Sequence, residues 1–285
     1  MLCMRHFSNG GTAMTEYSFQ ENGTGEGVSQ GLSRGLGIKQ LRLSLLDEGI
    51  GIGVPSARSK TRTYFAKQAQ YKTISENDAW EISFSLNCAN AWTFCGRISP
   101  LLTTAAEKLC NLYMRRPILQ PLLLQFASGL RTTRIFAAGF YPCPEIGQAT
   151  FTYHRIPTGI HVKAAISVLN QNIKKLFILS ELGGRYFDCM IDGKTIIDPP
   201  SGWILTDINL PPFIASSKLL SGFTVNHHSI TIPNQVKLAV GRELASGYAW
   251  AGFSYEISGD FSTPFEFYFD FVYTDKLEVQ QKHEQ

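Results

Sequence analysis

Apolar and polar residues alternate along most of the chain beyond residue 40, with the period of two that predicts β-strands. The clearest case is the segment 80–86, with the sequence WEISFSL, in which four apolar residues are separated by one glutamate and two serines. Successive side chains of a strand point to opposite faces, so this segment has one apolar and one polar face. We expect the apolar face to pack against helices.

Similar patterns predict strands in the rest of the chain. Further strands are expected at residues 134–140, 150–156, 222–232, 235–242, 248–257 and 265–273. A hairpin is expected over 186–198, because its Asp192-Gly193 pair is typical of two-residue turns. The segments 162–169 and 174–182 fit either a strand or a helix.

Two helices are predicted between these strands. The first covers residues 105–116 with Thr103 or Thr104 as its cap, and the second covers 119–128. Most linkers are short, which favours antiparallel strand connections. The predicted fold class is therefore α+β, with about ten antiparallel strands in a single barrel or strongly bent sheet and helices around it.

The glycine distribution divides the chain into three parts. Eight glycines lie between Gly10 and Gly37, in a stretch without sustained periodicity. We expect residues 1–31 to be a flexible leader, 32–276 to be a single globular β-rich domain, and 277–285 to be a polar tail.

Composition and charge exclude several classes of protein. Hydrophobic residues make up 44% of the chain and charged residues 17%, which argues against a disordered protein. The net charge is +3 with scattered cations, so no nucleic-acid partner is expected. No apolar stretch is long enough to span a membrane, and no secretory signal is recognisable, so a cytoplasmic location is expected.

Two glycine-containing motifs and the histidines do not predict a site. The sequence GLSRG at 31–35 matches a hydrolase motif, but no apolar strand precedes it. The run GIGIG at 49–53 lacks the lysine of a phosphate-binding loop. The adjacent His227 and His228 would point to opposite faces of a strand and could not both bind one ion. We therefore expect no metal ligands.

Three separated stretches resemble a known family. They are LLLQF at 122–126 with Ala138-Gly139 and a strand that ends in His154-Arg155-Ile156, then LGGRYF at 182–187 with Asp192-Gly193-Lys194, and finally YAWAG at 248–252 before an aromatic last strand. Together they resemble the cyanobactin peptide prenyltransferases and, at the C-terminal end, the wider group of aromatic prenyltransferases. The resemblance extends discontinuously over residues 117–273.

The resemblance implies a function as well as a barrel. It implies a soluble prenyltransferase that transfers an isoprenyl group from its diphosphate to a peptide or small aromatic acceptor. The diphosphate would lie in the barrel lumen, held by cationic side chains and assisted by Mg²⁺, while aromatic rings shield the allylic cation.

The resemblance also implies roles for individual residues. Glu81 would accept a proton from the acceptor, although an exposed strand face explains its position more simply. The residues expected to bind substrate through cations or aromatic rings are Phe151, Tyr153, Arg155, Lys163, Lys237, Trp250 and Tyr268. Aromatic residues at such positions can also be core residues. The last strand departs from the family pattern, because it carries Glu266 and Asp270 where a cation would be wanted.

Two other functions fit the same sequence. One is a non-enzymatic β-barrel that binds a small molecule, and the other is a structural or interaction protein. A lumen lined by several cations near Arg155 would favour the enzyme, whereas an uncharged cavity would favour the small-molecule binder. A filled core with an exposed apolar patch would favour the structural protein.

Overall fold

The computed structural model describes residues 15–19, 32–40, 49–75, 78–94, 97–115, 136–170, 172–192, 195–217, 221–230, 235–245 and 248–274. In chain order the elements are β1 (Thr15–Phe19), β2 (Leu36–Gln40), β3 (Gly51–Arg58), β4 (Thr63–Phe65), β5 (Ala69–Ser75), β6 (Ala79–Ser85), β7 (Cys88–Phe94), β8 (Arg97–Ile98), α1 (Pro100–Arg115), β9 (Phe136–Pro142), β10 (Gln148–Ile156), β11 (Gly159–Ile166), β12 (Lys175–Gly183), β13 (Cys189–Asp192), β14 (Thr195–Ile197), β15 (Gly202–Thr206), β16 (Phe213–Ser216), β17 (Ser221–Ile230), β18 (Gln235–Ala245), β19 (Tyr248–Ser258) and β20 (Phe265–Thr274).

These strands form two antiparallel sheets. Sheet A runs in the order β15-β18-β19-β12-β3-β4-β7-β8, with β2 and β1 added beside β3 and β9 added beside β7. Sheet B runs in the order β14-β13-β16-β17-β20-β11-β10-β6-β5. Within the described residues, each sheet begins and ends at a different edge strand, so neither sheet closes into a barrel.

The two sheets pack face to face around one aromatic core. Phe223 of sheet B lies 5.9 Å from Phe253 of sheet A between ring centroids, and Tyr255 of sheet A lies 4.8 Å from Phe267 of sheet B. These four side chains are at most 1% exposed. Large rings from both sheets therefore fill the space between them, and the architecture is a β-sandwich.

The predicted α+β barrel with surrounding helices is therefore wrong. The described part of the chain contains one helix, and both ambiguous segments are strands, β11 and β12. The apolar face of β6 packs into the core between the sheets, where Phe84 lies edge-on to Phe151 at 5.6 Å, and not against helices as predicted. The physical reason is the size of the inward side chains, which occupy the space that a lumen would need.

The predicted hairpin and the first predicted helix are present. Strands β13 and β14 pair antiparallel on either side of residues 193–194, as the Asp-Gly pair predicted. The helix begins earlier than predicted, at Pro100, because the Ser99 hydroxyl accepts a hydrogen bond from the Leu102 amide and caps the first turn. Thr103 instead accepts a hydrogen bond from the Trp92 amide of β7.

Several predicted segments lie outside the described residues. They are the second helix at 119–128, most of the leader and the polar tail after residue 276. Within the predicted leader, Thr15–Phe19 forms β1 and pairs antiparallel with β2. No helix in the described part of the chain combines the length and apolarity needed to cross a membrane.

The glycine-rich run at 49–53 brings the two sheets close together. Gly53 has a φ of +75°, and a Cβ atom at this position would lie 2.8 Å from the Tyr153 hydroxyl oxygen and 2.9 Å from the Phe151 ring. The Tyr153 hydroxyl donates a hydrogen bond of 2.9 Å to the Ile52 carbonyl and so links sheet B to sheet A. This run is therefore a structural contact between the sheets.

Candidate functional site

The outer face of sheet B, which is the side away from the core, carries rows of polar side chains across neighbouring strands. Strand register places His154, His161 and Asp270 in one row and Glu81, Thr152, Lys163 and Tyr268 in the next. Each of these side chains alternates with a buried one on its own strand, except at strand ends. The outer face is therefore where this sheet exposes its chemically active groups.

Three residues in and beside the first row form a compact group, here called the His–Asp cluster. His161 Nδ1 lies 2.7 Å from one Asp270 carboxylate oxygen, and His228 Nε2 lies 2.7 Å from the other. The imidazole ring centroids are 5.7 Å apart. An ionised carboxylate can only accept hydrogen bonds, so a ring nitrogen bonded to it acts as an N–H donor and must lose this proton before it can bind a metal ion.

Strand pairing and a β-bulge bring these three residues together. His161 of β11 is the direct partner of Asp270 of β20. On the other side of β20, the register of β17 shifts between His227 and Ser229, so His228 is an extra residue. The bulge turns His228 towards Asp270, while the His227 ring faces inward and lies 5.3 Å from the Phe267 ring. The two adjacent histidines thus lie on opposite faces.

A second polar group supports the cluster from the neighbouring row. The Tyr268 ring stacks on the His161 ring at 6.2 Å, and the Lys163 ammonium lies 5.7 Å from the centre of the Tyr268 ring. Lys163 forms an ion pair of 2.7 Å with Glu266, which also accepts a hydrogen bond from the Tyr268 hydroxyl. The hydrogen bond from Lys163 lowers the pKa of Glu266, and the same bond raises the pKa of Lys163. This arrangement holds the His161 ring in place.

The His–Asp cluster has the donor set of a transition-metal site. Its ligand atoms all lie within 4.8 Å of one another. A tetrahedral zinc ion bonded at 2.0–2.2 Å would place its donors about 3.4 Å apart. The pairs at 2.7 Å would therefore have to move apart by about 0.7 Å, and any pair near the 4.8 Å limit would have to come closer. Two imidazoles and one carboxylate are donors of the kind that such an ion prefers.

Three of the predicted substrate-binding residues belong to the packing of the sandwich. Phe151 and Tyr153 are fully buried in the core, where Tyr153 donates its hydroxyl proton to the Ile52 carbonyl. Trp250 is 4% exposed, stacks on Trp203 at 4.3 Å and donates its indole N–H to Glu243. These aromatic residues pack against protein groups and do not line a lumen.

The other predicted residues lie on surfaces. Lys163 and Tyr268 are in direct contact, and Glu81 lies in the same row, two strands away from Lys163. Arg155 is exposed near the end of β10, and Lys237 is exposed on β18 of the other sheet. The structure therefore brings together only part of the predicted set, beside the His–Asp cluster.

The His–Asp cluster was missed because its members are far apart in sequence. His161 and Asp270 are separated by 109 positions, and no short motif links them. One signal was present in the sequence, because both residues occupy polar positions in segments where polar and apolar residues alternate. Their pairing depends on which strands are neighbours, and the alternation pattern does not contain that information.

Comparison with known proteins adds no relative. No protein-family model, curated protein or solved structure matches the chain.

Proposed function

We propose that the chain is a non-enzymatic β-sandwich module that binds a divalent transition-metal ion, best represented by Zn²⁺, on the outer face of sheet B. The observation that carries the proposal is the convergence of His161, His228 and Asp270 from three adjacent strands. Each residue contributes a nitrogen or oxygen donor of the type that zinc prefers.

The position of the cluster favours metal binding over enclosed chemistry. The side chains of His161 and His228 are 34% and 47% exposed, and Asp270 is 17% exposed. An ion held here would lie at the protein surface, in contact with water. Active sites that activate substrates or oxygen usually enclose them in a cavity, whereas a binding site needs only the donors.

The donor set also favours one class of ion. Imidazole suits Zn²⁺, Cu²⁺, Ni²⁺ and Fe²⁺, whereas Mg²⁺ prefers oxygen donors. Two histidines and one carboxylate also hold Fe²⁺ in some oxygenases, so the comparison between Zn²⁺ and Fe²⁺ is part of the test. The prenyltransferase resemblance implied Mg²⁺, which prefers oxygen donors, whereas two of the three donors in the cluster are imidazole nitrogens.

The prenyltransferase hypothesis stays a prediction. It relied on a lumen with cations and aromatic rings, and the rings of Phe151 and Tyr153 instead pack inside a filled core. Calorimetry with dimethylallyl and geranyl diphosphate, with and without Mg²⁺, would test it directly. The filled core is the reason that we favour a non-enzymatic function.

A matched pair of variants tests the metal proposal. His228→Phe removes a proposed ligand, whereas His227→Phe changes the adjacent histidine, which faces the core. Titration calorimetry should show one equivalent of Zn²⁺ bound to the wild type and to His227→Phe. The affinity of His228→Phe and of Asp270→Ala should fall by at least the ten- to hundredfold that loss of an outer-shell partner typically costs.

Thermal unfolding provides a second measurement. An ion that binds only the folded state at a hundred times its dissociation constant stabilises it by about 2.7 kcal/mol. Zinc should therefore raise the unfolding temperature of the wild type and of His227→Phe by more than that of Asp270→Ala. A wild type that neither binds Zn²⁺ nor gains stability from it would overturn the proposal. Equal losses in both histidine variants would also contradict it.

A further inference from the structure

We infer that Tyr268 is a positioning residue of the proposed metal site, because its ring holds the His161 imidazole in the orientation that faces Asp270. The inference rests on the proposed function. A partly exposed histidine has several rotamers, and binding to a metal ion fixes one of them at a cost in entropy. A contact that selects the correct rotamer before the ion arrives removes part of that cost and so raises the affinity.

Strand register places the tyrosine ring diagonally opposite the imidazole. His161 pairs with Asp270 across β11 and β20, and Lys163 pairs with Tyr268 two positions away on the same strands. Diagonal neighbours in an antiparallel pair are about 7–8 Å apart, which is within reach of aromatic side chains. The two rings accordingly stack, with their centroids 6.2 Å apart and an angle of 26° between their planes. The contact is therefore a direct consequence of the register of these two strands.

The tyrosine ring is itself held by two charged side chains. Its hydroxyl donates a hydrogen bond to Glu266, and Glu266 forms an ion pair of 2.7 Å with Lys163. The Lys163 ammonium also lies 5.7 Å from the centre of the tyrosine ring, close enough for a cation–π interaction. A rotation of the ring away from His161 would break these contacts, so the ring offers the imidazole a fixed surface.

The second imidazole of the cluster has less support. Among the described residues, the ring that contacts His228 is that of His161, at 5.7 Å and with the planes tilted by 52°. The side chain of His228 is 47% exposed, against 34% for His161. The stacking on Tyr268 thus acts on one of the two histidine ligands, and the loss of Tyr268 should change the orientation of His161 first.

Zinc affinity, measured by titration calorimetry, tests the inference with two substitutions at one position. Tyr268→Ala removes the ring and should weaken Zn²⁺ binding by about tenfold, the upper end of what two stacked rings contribute. Tyr268→Phe keeps the stacked ring without its hydroxyl and should retain most of the affinity. Thr152→Ala is the matched control, because Thr152 pairs with Lys163 on the side away from β20. Its affinity should equal that of the wild type.

The conformation of the His161 side chain provides a second measurement, which needs no metal. In the metal-free wild type, NMR couplings across the Cα–Cβ bond of His161 should report one rotamer, whereas in Tyr268→Ala they should be averaged over several. A merely structural role of Tyr268 would not change these couplings. Both Tyr268 variants should keep the wild-type amide spectrum away from position 268, which excludes unfolding as the cause.

The outcomes separate the inference from the proposed function. Equal affinity of Tyr268→Ala and the wild type for Zn²⁺ would overturn the inference while the proposed function stands. Equal averaging of the His161 rotamers in the two proteins would also overturn the inference alone. A wild type that binds no Zn²⁺ would overturn the proposed function and the inference with it.

Discussion

The inner and outer faces of sheet B are made by the same strands but follow different physical rules. Along β20, the inward residues include Phe267, Phe269 and Phe271, which are all fully buried. Between them lie Tyr268 and Asp270, which make polar contacts with neighbouring strands. The inner face is an aromatic layer packed against sheet A, whereas the outer face is a network of hydrogen bonds and ion pairs.

This difference separates the requirements of folding from those of binding. Close packing makes the inner face sensitive to any change in side-chain volume. The outer face needs only the correct strand register to bring His161, His228 and Asp270 together. Ligands can therefore be placed on the outer face without disturbing the core, and substitutions on the two faces should affect different measurements.

Neighbouring residues on β6 provide the strongest test of this separation. Phe84 is 1% exposed and lies edge-on to Phe151, so Phe84→Ala should lower the free energy of unfolding by about 3–5 kcal/mol. Ser83 faces outward and its hydroxyl lies 3.1 Å from that of Thr150. Ser83→Ala should therefore cost about 1 kcal/mol or less. Urea unfolding without added metal measures both values.

A larger loss of stability for Ser83→Ala than for Phe84→Ala would contradict the difference between the two faces. A loss below about 1 kcal/mol for Phe84→Ala would mean that the inner face tolerates cavities and is not closely packed. A large loss for Ser83→Ala would mean that the outer face contributes to folding as much as the core does. Neither result is expected from the burial of the two side chains.

The contact between the sheets at Gly53 should be the next most sensitive point. Gly53→Ala places a methyl group within 3 Å of Tyr153 and Phe151 and keeps a positive φ, which is strained for alanine. We expect a loss of about 2 kcal/mol, from backbone strain and overpacking together. Urea unfolding measures this loss of stability. The same substitution in a Tyr153→Phe background, which lacks the hydroxyl nearest to the new methyl group, separates the steric part of the loss from the backbone strain. A neutral Gly53→Ala would show that sheet A moves away without penalty.

The alternation of residues predicted much of this fold. It located strands and identified the buried face of β6, as Phe84 illustrates. It could not distinguish a sandwich from a barrel, because the apolar side of a strand looks the same in both. That choice depends on whether large side chains from facing sheets fill the space between them, which is a non-local property.

The candidate site was less predictable than the fold. Local sequence correctly placed His227 and His228 on opposite faces, but it gave no indication of the bulge that turns His228 towards Asp270. A bulge inserts one residue in a strand, and its position depends on the register with the neighbouring strand. The aromatic residues chosen for a lumen, such as Phe151, were the residues most needed in the core.

His227 is the exception to the comparison, since it is a polar residue on the inner face, and it gives the smallest predicted effect. Within the described residues, the buried Nδ1 atom of His227 has no hydrogen-bond partner, and burial lowers the pKa of this imidazole. A buried polar atom without a partner is unfavourable, whereas a phenyl ring would extend the aromatic layer beside Phe267 and Tyr255. His227→Phe should therefore raise the free energy of unfolding by about 1 kcal/mol at neutral pH, as measured in urea without metal.

His228→Phe, on the outer face, should show no such gain. A loss of stability in His227→Phe would mean that the imidazole makes a contact that the core requires, and the separation between the two faces would then fail at this position.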